Sequence, residues 1–80
     1  MISKIEFENR FRDFLEDYEL SLGQASAILR ISKLRAYLYR SGWFKFDQER
    51  ETEVINRMAN YILLQKLRRA WRERTEISER

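Results

Sequence analysis

Apolar residues in this 80-residue chain recur every three or four positions, with little alternation, and no proline interrupts them anywhere. That spacing gathers side chains on one face of a helix, whereas a half-buried strand needs a period of two. The chain is thereby restricted to an all-α fold of about four helices, in a single domain over residues 1–80.

The first helix is expected over about 3–18. Ser3 and Glu6 stand at the serine-x-x-glutamate spacing that caps a helix start. Phe7, Phe11, Phe14, Leu15 and Tyr18 then form one apolar stripe, with Glu8, Asp13, Glu16, Asp17 and Glu19 off it. The second helix starts at Ser21, again with capping spacing to Gln24, and carries Leu22, Ala25, Ile28 and Leu29 inward. Nothing forbids one continuous helix over 21–40, but the apolar stripe changes phase between Leu29 and Leu34, which favours a turn at Arg30, Ile31 and Ser32. A third helix follows Ser32 and stops at Gly42, which can adopt the left-handed backbone that ends helices. These two helices make a central helix-turn-helix over about 21–41. Trp43, Phe44 and Phe46 read as an extended segment, and Asp47 can cap a long last helix over about 48–74.

That last helix carries two apolar faces. Val54, Ile55, Met58, Tyr61 and Ile62 share one, and Leu63, Leu64, Leu67 and Trp71 lie away from it. One face suffices to bury a helix against its own domain, so either the helix breaks near Leu63 or its second face meets another chain. The second reading, which is favoured, predicts a homodimer interface at Leu63, Leu64, Leu67 and Trp71. A domain this small also gains from a partner, since it can bury only a modest core.

Composition narrows the chemistry. Cysteine and histidine are both absent, which excludes disulfides and ordinary zinc sites and leaves no side chain suited to proton transfer near neutral pH. The two glycines, Gly23 and Gly42, form no phosphate-cradling loop. The expectation is a binding protein, not an enzyme, with no metal and no cofactor. No apolar run is long enough to span a membrane, and the charged start lacks a signal-peptide pattern, which fits a cytoplasmic protein.

Charge is unevenly placed. Residues 1–20 hold three bases against six acids, whereas residues 21–46 hold Arg30, Lys33, Arg35, Arg40 and Lys45 with no acid at all. A cationic helical stretch of this kind suits a polyanion, since Lys and Arg gain affinity by neutralising phosphates and an α-helix fits the DNA major groove. With Leu34, Tyr37 and Leu38 directed inward, a helical wheel turns Lys33, Arg35, Ala36, Tyr39 and Arg40 outward. Arg35, Tyr39 and Arg40 are then candidates for groove contacts, with Ala36 permitting close approach. Lys33 and Lys45 would meet phosphates, and Ser32 would offer its hydroxyl and backbone amides.

The run Ala25-Ser26-Ala27-Ile28-Leu29-Arg30-Ile31-Ser32-Lys33-Leu34-Arg35-Ala36-Tyr37, followed by Tyr39-Arg40-Ser41-Gly42-Trp43, resembles helix-turn-helix domains of the MerR and excisionase kind. The stretch from Lys33 to Trp43 is also similar to the C-terminal domain of phage antirepressors. The resemblance implies a DNA-binding transcriptional or recombination regulator of phage or mobile-element type. Here Arg30 stands where that family's turn has glycine, and no second strand follows Phe46 to complete a wing. The family register would bury Ala36 and turn Leu34 outward, opposite to the wheel above.

Lys66, Arg68, Arg69, Arg72 and Arg74 surround Trp71 near the end of the chain. Lys66, Arg69 and Arg72 could add a nucleic-acid contact, with RNA as well as DNA open, or they could answer the helix dipole, which favours cations at a C-terminus. A rival reading makes the chain a small helical adaptor or inhibitor that binds a protein. Trp43, Phe44, Phe46 and Trp71 would be its anchors, because tryptophan and arginine dominate interface energetics.

Overall fold

Each helix begins where a short polar side chain replaces a missing backbone partner. The computed structural model describes residues 2–78, with side chains described for 2–73, and holds α1 (Lys4–Asp17), α2 (Leu22–Leu29), α3 (Lys33–Ser41) and α4 (Gln48–Ser78). Ser3 Oγ accepts from the Glu6 amide at 3.2 Å, and Ser32 Oγ accepts from the Arg35 amide at 3.0 Å. At Ser21 the exchange is reciprocal, since the Gln24 side chain also accepts from the Ser21 amide at 2.9 Å. Asp47 Oδ1 caps α4 by accepting from the Arg50 amide at 3.1 Å.

The three shorter helices end alike. Glu19, Arg30 and Gly42 take left-handed backbone, with φ of 51°, 57° and 82°. The next amide in each case reaches back five residues: Leu20 to the Leu15 carbonyl, Ile31 to Ser26, and Trp43 to Leu38. This closure satisfies carbonyls that would otherwise be orphaned, and glycine adopts it without steric cost. Only α3 uses glycine, and a Cβ there would also approach Glu8 Oε1 to 3.3 Å. The break at Arg30 separates α2 from α3, so these are two helices joined by a short turn and not one rod.

The core is aromatic. Phe7, Phe11 and Phe14 of α1 are buried, together with Leu29, Val54 and Met58. Tyr39 sits at its centre, edge-on to Phe7, Phe11 and Phe44 with ring centroids 4.7, 5.5 and 4.9 Å away. Helices α1 and α4 run in the same direction: Phe7 meets Phe46 just before α4, and Phe14 and Tyr18 meet Tyr61 further along it. Helix α4 has 31 residues, about 46 Å at 1.5 Å per residue, so its second half outruns α1.

Two expectations about facing are corrected here. Ala36 and Tyr39 are fully buried, whereas Leu34 is 67 % exposed and Tyr37 half exposed. The wheel for α3, with Leu34 and Tyr37 inward, is therefore overturned: Ala36 and Tyr39 face the core. Small Ala36 allows close approach to the body instead of to a groove, and the Tyr39 phenol finds a buried partner that no wheel displays. Phe44, expected as an exposed anchor, packs into the core at 9 % exposure, and Phe46 is partly buried.

Candidate nucleic-acid interface

The outer face of α3 is set by what its inner face must bury. With Ala36 and Tyr39 turned in, Lys33, Tyr37 and Arg40 fall on one outward stripe at i, i+4 and i+7, with Leu34 beside it. All four are exposed. The Arg40 guanidinium lies 6.0 Å from the Tyr37 ring, a cation over an aromatic face. Among the described residues, neither Lys33 nor Arg40 is paired with a carboxylate.

Helix α1 supports this helix by its backbone and leaves its charges alone. Arg12 donates through Nε and Nη2 to the Arg40 carbonyl at 3.2 and 3.1 Å, and Lys4 Nζ donates to the Gly42 carbonyl at 3.0 Å. Bases of α1 thus cap the C-terminal end of α3, where the helix dipole is negative. The Arg40 side chain stays available because its carbonyl, not its guanidinium, makes the contact.

Arg35 occupies a different place from Arg40. It is half-buried, with its guanidinium 5.7 Å from the Tyr39 ring, and lines a cleft with Arg30, Ser32, Arg50 and Arg57. Arg57 donates to the Leu29 carbonyl at 2.9 Å and pairs with Glu53 at 2.7 Å. Arg50 is held by Glu51. Arg30 and Arg35 are in no ion pair among the described residues, so the cleft keeps a surplus of positive charge. Its chemistry suits a phosphate beside α3.

Beneath the face lies a buried carboxylate. Glu51 is fully buried and accepts from Tyr39 at 2.7 Å and from Arg50 Nε at 2.6 Å through Oε1. Oε2 accepts from the Asp47 amide and from Arg50 Nη2. Burial alone would raise the Glu51 pKa, but the hydrogen bonds from Arg50, Tyr39 and the Asp47 amide outweigh it and hold the carboxyl below its ordinary range. The Tyr39 phenol is pushed well up, by burial first and then by Glu51, and remains a donor. This lock fixes α3 on α4.

No family model, curated protein or solved structure matches this chain.

Of the residues expected at the interface, Ser32, Lys33, Arg40 and Lys45 are exposed, Arg35 borders the cleft, and Ala36 and Tyr39 lie inside. Leu34, Tyr37, Arg30, Arg50 and Arg57 were missed. The family register pointed to Leu34, but nothing local pointed to Arg50 and Arg57, which sit in an acidic stretch of sequence. Lys66, Arg69 and Arg72 are exposed on α4, with Arg69 and Arg72 beside Tyr18 at the end of α1 instead of beside α3. The Arg74 side chain lies outside the described residues. Leu63, Leu64, Leu67 and Trp71 are all exposed on α4. Among the described residues there is no cluster of acids able to hold a metal, and no helix long and apolar enough to cross a membrane.

Proposed function

We propose that this chain is a sequence-specific DNA-binding protein. It acts in the cytoplasm as a homodimer without cofactor, as a transcriptional or recombination regulator of the phage or mobile-element kind. The observation that carries the reading is the outer face of α3, where Lys33 and Arg40 stand exposed and unpaired around Leu34 and Tyr37. In helix-turn-helix proteins the second helix enters the major groove, its first residues against base edges. Here Leu34 and Tyr37 would take that place, with Lys33 and Arg40 meeting the phosphates on either side. The cleft at Arg30 and Arg35, with the amides of Ser32, takes a flanking phosphate.

Fluorescence anisotropy on random-sequence duplex DNA at several salt concentrations tests this. Affinity falls steeply with salt, and Lys33→Ala with Arg40→Ala flattens the log–log slope by about 1.8, two phosphate contacts at 0.9 each. Unchanged affinity and slope in that double variant would discard the assigned face.

A second reading rests on Trp43, which is 79 % exposed next to the α3 face. It makes the chain a protein-binding adaptor anchored by that indole. This reading requires no duplex binding at physiological salt and a stoichiometric protein complex that Trp43→Ala abolishes.

A further inference from the structure

A shallow groove runs between α1 and α4 on the side away from α3's outer face. Ile55, Met58, Ala59 and Ile62 give it an apolar floor, and Asp13 and Asp17 stand on its rim, exposed and in no ion pair among the described residues. It has the chemistry of a seat for an amphipathic helix bearing bases.

Such a helix exists in this chain. Residues 63–72 carry Lys66, Arg68, Arg69 and Arg72 with no acid. Leu63 and Leu67 on the same segment are 57 % and 58 % exposed. One turn apart, they make a continuous apolar strip with Ala70. The segment cannot reach the groove of its own molecule, because α4 is one uninterrupted helix and the groove lies alongside its earlier turns.

We infer that the groove between α1 and α4 receives residues 63–70 of α4 from a second copy of this chain, with Lys66 and Arg69 set against Asp13 and Asp17. The inference rests on the homodimer of the proposed function and supplies its contact surface. Ala59 at the groove and Leu63 on the segment stand one turn apart on α4, so a two-fold axis near Leu63 brings the groove edge of each copy against the segment of the other, as an isologous interface requires. In that antiparallel register Leu67 comes opposite Ala59, a small residue that leaves room for it. Lys66 comes opposite Asn60, within side-chain reach of the acidic rim.

A charge exchange tests the inference on the full chain. Sedimentation velocity across a concentration series first establishes that the unaltered chain dimerises. Asp13→Lys with Asp17→Lys, and separately Lys66→Glu with Arg69→Glu, then each weaken self-association by roughly a hundredfold, because like charges meet at both contacts. Mixing the two variants restores a dimer, since reversed acids meet reversed bases at one contact and native partners meet at the other. Circular dichroism confirms that both variants fold; all four positions are exposed. A monomer at high micromolar concentration in the unaltered chain would overturn the homodimer and this inference together. Variants that dimerise as tightly as the unaltered chain, or a mixture that stays monomeric, would overturn the groove contact alone.

Discussion

The Tyr39 hydroxyl donates to the Glu51 carboxylate at 2.7 Å, and both side chains are fully buried. This bond joins α3 to the first turn of α4 and sets which side of α3 faces outward. Glu51 is satisfied on all sides by Tyr39, Arg50 and the Asp47 amide, so the buried charge is paired and hydrogen-bonded as burial demands.

Removing the donor tests that role. Tyr39→Phe keeps the ring contacts with Phe7, Phe11 and Phe44 and deletes only the hydroxyl, so it costs about 2 kcal/mol, the range for a hydrogen bond to a charged group. Tyr39→Ala empties the centre of the core and costs about 4 kcal/mol. Urea denaturation monitored by circular dichroism reads both. A Tyr39→Phe variant as stable as the parent would show that packing alone orients α3.

Acid weakens the same lock. The folded pKa of Glu51 lies below the ordinary 4.5, so its contribution is fully present above that value and is lost as pH falls through the lower folded value. Glu51→Gln should therefore differ most from the parent in denaturation midpoint near neutrality. As the pH falls below 4.5 and through the lower folded value, the two curves should converge. A gap independent of pH would mean that the carboxylate is not the stabilising form.

Two helix ends offer stabilising changes. Arg30 and Glu19 occupy left-handed backbone at φ of 57° and 51°, where glycine is free of the side-chain penalty. Arg30→Gly and Glu19→Gly should each raise stability by about 0.5–1 kcal/mol. Gly42→Ala should lower it by about 1–2 kcal/mol through its φ of 82°, with Glu8 crowding the new methyl. Thermal denaturation ranks all three. Arg30→Gly carries a second readout, since it also removes a base from the cleft and should weaken DNA binding while stabilising the fold.

The exposed apolar pair on α3 makes a prediction of its own. On the proposed reading, Leu34 and Tyr37 would meet thymine methyl groups, which the major groove displays. Uracil in place of thymine in a duplex selected for tight binding should cost about fourfold per contacted methyl, taking about 0.8 kcal/mol per buried carbon. Leu34→Ala with Tyr37→Ala should erase that difference, and its stability should change by no more than about 0.5 kcal/mol, as for other surface sites. Equal affinity for both duplexes in the unaltered chain would deny the pair a reading role.

Much of the architecture was legible because it depends on near neighbours. Capping needs a side chain within three residues of the amide that it serves, and Ser3, Ser21, Ser32 and Asp47 all cap where the sequence places them. The turn at Arg30 is favoured over one continuous helix by the shift in apolar phase between Leu29 and Leu34. The projecting leucines of α4 follow from counting faces on one helix.

The facing of α3 was not legible in this way. Its nine residues present two rival inward faces, one with Leu34 and Leu38 and one with Ala36 and Tyr39, and hydrophobicity alone prefers the leucines. The choice fell to Glu51, a carboxylate in another helix whose burial is tolerable only with donors around it. Sequence by itself determined the helices, their ends and the cationic stretch between them, because those features are local. Only the tertiary structure decided which cations face outward, because a buried hydrogen bond between distant residues outweighed the local preference.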